Sequence, residues 1–479
     1  AIGRIERFDG EVHAVIHRSF ERAREHARVG APGSTPDAPF HGVPFLLKDL
    51  MAQDTGQPST YSTKLLGPWR ADRDAELVRR YKRAGLIILG RTNTPEFGIY
   101  GVTEPAMHGP TRNPWNLGHT PGGSSGGSSA AVAARYVPVA HGGDGGGSIR
   151  IPASHTGLVG MKPTRARNPA GPFAGERWAG FVAEHVLTRT VRDSAAILDA
   201  TYGADPGAPY EVRPPARPFL TEVEEGARGA GRRLRIAFTA EPLFGRSMHP
   251  ECVEAVQRAA KLAASLGHEV VEAKPSFDKE ALIRAYFTVI AASTNLAVRT
   301  ASDFAKKKPS AKDFEGPTWL LKLIGDKLTA GEYAYALQTL QLAHREIAPF
   351  FGTYDVLLTP TAARPPVPIG TFQPKPKERA LLAALSAAPA RRLLLLALET
   401  LGKTAVDATP NTMLFNMTGQ PAVSLPLHWS ADGLPVGTQW VARFGDEATL
   451  FGLAAELEVA SPWGHKKPAL IGQAVARPG

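Results

Sequence analysis

Apolar positions along this chain recur with two periods, and the switches between them mark out the elements. Over residues 11–27 they fall three to four apart among charges of both signs, the spacing of a surface helix. The same spacing predicts helices over 75–84, 129–134, 191–202 and 251–266. Short apolar runs bounded by glycine or charge, at 86–90 and 234–238, predict buried strands. The stretch 205–218 is rich in proline and glycine and reads as a connection. Helices alternating with short strands predict an α/β fold on a mixed sheet, and no internal repeat is visible. Residues 379–401 stand apart as two leucine-rich helical pieces broken at Pro389. Such pieces are core helices, a packed hairpin or a lid over a site.

Composition narrows the class. The chain has 479 residues, 43% hydrophobic and 21% charged, which excludes a disordered chain and leaves ample material for a core. A net charge of +10 permits an acidic partner. The basic residues are scattered, however, and the densest run is only 306–308, so a solvated surface and no nucleic-acid partner are expected. Cys252 is the only cysteine, which excludes an intramolecular disulfide and a cysteine metal site. No run approaches the ~18 consecutive apolar residues of a membrane span, and no signal-peptide pattern opens the chain. No membrane partner and a cytoplasmic location are therefore expected. The fourteen histidines include no H-E-x-x-H or comparable ligand spacing. His41, His119, His141 and His155 are expected to be ordinary loop or core residues, and no metal or cofactor is expected.

The chemistry concentrates in residues 121–151, PGGSSGGSSAAVAARYVPVAHGGDGGGSIRI. Two glycine-serine blocks place the hydroxyls of Ser124 and Ser148 on backbone that can bend tightly and approach a substrate closely. No lysine follows either block as a phosphate-binding P-loop requires, and the dinucleotide fingerprint is absent. G-x-S-x-G occurs twice, at 122–126 and 123–127. Its lead-in, NLGHTPG, is turn chemistry, whereas a nucleophile elbow needs a strand there.

Several ordered motifs accompany this stretch: GVPFLLKDL at 42–50, GRTNTPEFG at 90–98, GPTRNPWN at 109–116 and GLVGMKPT at 157–164. DVLLTPT at 355–361, FNMTGQPAVSLP at 415–426 and GLPVGTQ at 433–439 complete the set. With them the chain resembles the amidase signature family over nearly its whole length. Among its members it looks most like the broad bacterial amidases, including nylon-oligomer cyclic-amide hydrolases, aryl acylamidases and urethanases. The resemblance implies an α/β/α sandwich and a single domain over 1–479. Its signature core would span 44–192, with an apolar cap over 371–410. It also implies that a helical segment is missing ahead of Ala1, which leaves a targeting segment open. The implied activity is cofactor-free hydrolysis of a small amide, aryl amide or carbamate, with an apolar or aromatic substrate preferred. Monomer and homodimer both stay open.

The family pattern then assigns roles. Amide hydrolysis needs a nucleophile, a route for its proton and donors for the oxyanion. Ser148 is the nucleophile. Gly145, Gly146 and Gly147 supply oxyanion amides, with that of Ser148 a further candidate. Ser124, joined to Gly123 by a cis bond, bridges Ser148 to Lys48. Lys48 acts as a base, which requires burial to hold it neutral. Ser125 is a structural hydrogen-bonder, and Asp144 and Arg150 pair to hold the loop. The chain departs from the family at Gly143, where threonine is usual, and at Ala166, which replaces glycine before Arg167. The first puts loop rigidity in doubt; around the second, the loop from Arg165 to Trp178 is expected to border the pocket and vary with substrate. Three other readings are weighed: the transamidating subunit of a tRNA-dependent amidotransferase, an α/β-hydrolase esterase using Ser125 with a distant Asp and His428 or His465, and a non-catalytic binding module, which the filled positions 48, 124 and 148 disfavour.

Overall fold

The short apolar runs become the strands of one mixed sheet. The computed structural model describes residues 1–468 and 470. Among these residues the strands are β1 Val15–Arg18, β2 Pro44–Lys48, β3 Ile87–Thr92, β4 Val139–Asp144, β5 Val159–Lys162 and β6 Ala183–Thr188. They continue as β7 Arg235–Phe238, β8 Glu269–Glu272, β9 Val356–Pro360, β10 Ala422–Trp429 and β11 Pro435–Ala442. Their order across the sheet is β1-β3-β2-β4-β6-β5-β10-β11-β9-β7-β8. β2 runs parallel to β3 and β4, and β7 to β8 and β9, while the remaining pairs are antiparallel.

Both faces of the sheet are covered, because its strands send apolar side chains alternately to each side. Val356, Leu358, Val423 and Trp440 join a cluster with Leu198, Phe219, Val256 and Phe451 from the helices of one face. Leu357, Ala422 and Val441, their immediate neighbours in sequence, point into the opposite cluster with Val289, Ile324, Leu340 and Phe415. The architecture is an α/β sandwich with helices on both sides of the sheet.

Most predicted elements lie within one to three residues of those observed. The exception is 11–27, where the structure has two helices, Ile2–Val12 and Phe20–Val29, with β1 between them. The Asp9 carboxylate accepts the amides of Ala14 and Val15, and His13 turns left-handed at φ 56, which ends the first helix. The freed segment then pairs with β3. Helical spacing alone does not register that local cap.

The leucine-rich segment forms the helices Pro376–Ala387 and Arg391–Ala408. Leu385, Leu394 and Leu398 are buried in the large cluster, whereas Leu381, Leu393 and Leu396 face outward. A Cβ on Gly402 would come within 3.0 Å of Ile283 and 3.2 Å of Phe287. The second helix therefore lies directly on the helix Lys279–Ala305. That 27-residue helix is long and apolar enough to cross a membrane, yet here Val289, Ile290, Ala291 and Val298 are buried inside the protein.

Topology decides what meets at the site. β2 and β4 are parallel neighbours, with Phe45 opposite Val139 and Leu46 opposite Ala140. Lys48 ends β2 and Asp144 ends β4, so both leave the sheet at the same edge, beyond the carboxyl ends of parallel strands. The helix Gly126–Ala133 starts directly after Ser124 and Ser125 and is buried at every position. A Cβ on Gly127 would collide with the Asn93 backbone, so glycine lets this helix approach β3.

Candidate active site

Lys48 is fully buried, and its Nζ donates to Ser124 Oγ at 2.7 Å and to the Gly143 carbonyl at 3.3 Å. Burial pushes the lysine down to about 7, against the opposing pull of the Asp144 and Glu184 carboxylates. At and above that pH the amine carries a lone pair, and the Ser124 hydroxyl can donate into it. Ser124 follows a cis peptide bond at Gly123–Ser124. Ser125 lies at the start of the helix Gly126–Ala133. Its Oγ accepts the Gly143 amide and donates to the Gly143 carbonyl, both at 3.3 Å, so it ties this segment to β4.

Ser148 sits beside this pair. The Ser125 amide donates to the Ser148 carbonyl at 3.2 Å and holds the two serine segments together. Ser148 is half-buried, and among the described residues its hydroxyl makes no hydrogen bond. The first leg of the expected relay, Lys48 to Ser124, is formed here; the second, Ser124 to Ser148, is not.

The glycine loop is held by a buried ionic frame. Arg150 meets Asp144 in two parallel bonds of 2.9 Å, Nε to Oδ2 and Nη2 to Oδ1. Its remaining donors reach the Thr412 carbonyl at 2.9 Å, Gln439 Oε1 at 2.6 Å and Asn416 Oδ1 at 2.6 Å. Burial alone would raise the Asp144 carboxyl, but the Arg150 guanidinium overcomes this and holds it well below the usual carboxylate range.

One expectation needs correcting. The Gly147 amide, expected among the oxyanion donors, instead donates to Asp144 Oδ1 at 2.7 Å and is not free to meet a substrate oxygen. An aspartate three residues upstream closes a tight turn onto that amide. Among the described residues, the amides of Gly145, Gly146 and Ser148 find no acceptor. These three make up the donor set the loop offers.

The departures from the family pattern also resolve. Space beside Gly143 is filled by the Met51 side chain, whose Cε lies 2.7 Å from where a Cβ would stand. The loop is restrained by Asp144, Arg150 and Asn416 without a side chain at 143. Ala166 adopts φ 60, a left-handed conformation that costs a non-glycine residue roughly 1–2 kcal/mol. Arg165 anchors that turn through the carbonyls of Gly180, Asn416 and Met417.

Sequence reasoning missed several residues here. Glu184, on β6, stands opposite Gly143 in the β4–β6 register and meets His141 Nε2 at 3.1 Å. Burial opposes its charge, yet the His141 bond and the nearby Arg177 and Lys48 cations keep the carboxyl low. No local pattern announces it, because the cross-strand register places it there. Asn416 and Gln439 lie inside the 415–426 and 433–439 motifs, which were a usable signal. Tyr286, whose hydroxyl donates to the Gly145 carbonyl at 3.0 Å, had none.

The esterase alternative loses its geometry. His428 Nε2 is paired with Glu251 at 2.9 Å, and the Ser125 hydroxyl is engaged by Gly143. His465 is exposed and makes no bond to Ser125. Two groups among the described residues have ligand atoms close enough for a metal ion: His17 with Asp49 and His108, and Glu251 with Glu254 and His428. Neither includes a residue of the serine–lysine cluster, and Arg91 Nε already lies 3.9 Å from Asp49.

Known proteins are similar to this chain in sequence and architecture. The profile of the amidase family matches residues 1–451. The 6-aminohexanoate-cyclic-dimer hydrolase of Paenarthrobacter ureafaciens is 36% identical over 477 residues, covering 98% of this chain and 92% of that protein. The solved structure of a 6-aminohexanoate cyclic dimer hydrolase with its substrate superposes with a TM-score of 0.86 at 35% identity, over 98% of this chain and 94% of the other. A bacterial aryl acylamidase of the amidase signature family gives a TM-score of 0.83 at 26% identity, over all of this chain and 94% of the other. Motifs, fold and relatives converge, and the chain belongs to the amidase signature family of amide-cleaving hydrolases.

Proposed function

We propose that this enzyme cleaves the C–N bond of small amides through an acyl-enzyme on Ser148, with Ser124 and Lys48 moving the proton. The observation that supports this reading is the buried Lys48, its pKa lowered to about 7, bonded at 2.7 Å to Ser124 next to the glycine loop. Ser148 Oγ attacks the acyl carbon while its proton passes to Ser124 and the Ser124 proton passes to Lys48. The unpaired loop amides face the oxygen that becomes negative. The ammonium of Lys48 returns its proton, through Ser124, to the leaving nitrogen. Water enters by the same relay and frees the acid. The Ser124–Ser148 hydrogen bond closes when substrate seats, as catalytic bonds often tighten only in the complex.

Carbamates present an acyl carbon to the same attack and belong to the proposed range. The relatives named for a cyclic amide and for aryl acylamide cleavage support small uncharged substrates. The walls next to the loop favour apolar ones. Trp178 and Val182 pack on Gly145, and Met413 lies beside Gly146. Burying an aryl group there is worth about 1.5–3 kcal/mol, so kcat/KM for an acetanilide should exceed that for acetamide by roughly 10- to 100-fold. A panel of anilides, cyclic amides, carbamates and acetamide tests this, and acetamide ranking first would refute the apolar preference. Hydrolysis by the isolated chain also separates this reading from a transamidating subunit, which would turn over only with partner subunits.

The pH profile carries a defined sign. Lys48 accepts a proton only when neutral, so kcat/KM should rise about tenfold per pH unit below about 7 and level off above it. An activity that falls as pH rises through 7 would exclude Lys48 as the base.

A further inference from the structure

The carbonyl side of the glycine loop is tethered at every step. Asp144 O accepts from Asn416 Nδ2 at 2.9 Å, Gly145 O from the Tyr286 hydroxyl at 3.0 Å, and Gly146 O from Thr412 Oγ1 at 2.7 Å. Gly147 O accepts the Ile151 amide at 2.7 Å, and Ser148 O the Ser125 amide at 3.2 Å. A peptide unit is planar and trans, so its C=O and N–H point in opposite directions, and a tether on one aims the other. The amide that shares a peptide unit with the Gly145 carbonyl is that of Gly146. It is one of the three loop amides without an acceptor among the described residues.

We infer that Tyr286 is a positioning residue for the hydrolysis, locking the Gly145–Gly146 peptide so that the Gly146 N–H faces the reacting oxygen. The inference rests on the reading of Ser148 as nucleophile. A peptide flanked by two glycines is the easiest kind to flip, since neither side has a Cβ to restrict φ and ψ. Flipped, it would turn the Gly145 carbonyl oxygen toward the developing oxyanion and replace attraction with repulsion.

Tyr286 is suited to prevent that. Its ring is 5% exposed, stacks on Phe181 at 5.3 Å and meets Phe287 edge-on. It projects from the long helix Lys279–Ala305, onto which Gly402 packs through Ile283 and Phe287. Burial raises the phenol's pKa, so the hydroxyl remains a donor throughout the working range. The fit is mutual: a Cβ on Gly146 would collide with this hydroxyl, so the glycine and the tyrosine require one another.

The test is Tyr286→Phe, which keeps the ring and removes only the donor. Loss of an oxyanion donor typically costs about 10²–10³ in kcat, and loss of its orientation should cost about 10- to 100-fold, with KM within about twofold. Phenylboronic acid, which forms a tetrahedral adduct on a serine, should weaken by the same factor, while benzamide, a ground-state mimic, should bind as before. A purely structural role predicts a lower melting temperature with kcat and the boronate-to-benzamide ratio unchanged, and that result overturns the inference. Incorporating 3-fluorotyrosine at position 286 keeps the donor and should keep kcat within about twofold, which gives a second readout should the phenylalanine variant fail to fold. A tenfold fall there would also overturn it. Ser148→Ala assayed in parallel separates the two claims. Residual turnover in that variant refutes the nucleophile reading, whereas an inactive Ser148→Ala beside a fully active Tyr286→Phe refutes only the role of Tyr286.

Discussion

Ser148→Ala should abolish turnover, with kcat reduced on the order of 10⁶-fold, because on the proposed mechanism it removes the atom that forms the covalent bond. The loop should be untouched. Ser148 is half-buried, its hydroxyl makes no bond among the described residues, and the loop is held by Asp144, Arg150, Asn416 and Thr412. A melting temperature within about 2 °C of the parent is therefore expected. Labelling with a fluorophosphonate, read by intact-mass spectrometry, provides the check. A Ser148→Ala protein that still takes up one equivalent at its active site would show that another residue is the nucleophile.

Replacing the proposed base should separate activity from stability. Lys48→Met fills the same space with an apolar side chain, and turnover should drop about 10²- to 10⁴-fold, the usual worth of a positioned proton acceptor. Stability should hold or rise, since Lys48 is fully buried and burial is the main cause of its lowered pKa. Ser124→Ala should lose activity on a similar scale, because it interrupts the 2.7 Å contact through which Lys48 reaches the loop. Steady-state kinetics beside thermal melts decide the matter. Lys48→Met with parental turnover would end the relay, and a Lys48→Met that melts well below the parent would show the lysine to be a structural support.

What the sequence determined on its own was whatever is encoded locally. Short apolar runs specified strands such as β3 and β7, helical spacing specified Pro250–Ser265, and the glycines preceding Ser124 and Ser148 marked backbone able to come close to a substrate. Ordered motifs over most of the chain identified the family, and one of them, GVPFLLKDL at 42–50, pointed to Lys48, although that lysine lies 76 residues from Ser124. Where a local pattern was ambiguous the reading failed: residues 11–27 have helical spacing, but the Asp9 cap and pairing with β3 split them.

Tertiary structure decided the rest, for reasons of direction and register. Composition shows that a glycine loop can bend; it does not say which amides point outward, and only the folded loop shows the Gly147 amide turned back onto Asp144. Glu184 comes near Lys48 because β6 pairs antiparallel with β4 and sets it opposite Gly143, a register with no signature along the chain. Tyr286 reaches Gly145 from a helix that begins 134 residues later, and its place depends on how that helix packs against the sheet. Periodicity reports which face of an element is buried. The partner that a buried hydroxyl, carboxylate or amide meets is fixed by long-range packing, which requires every unpaired polar group to find a match or be left facing the substrate.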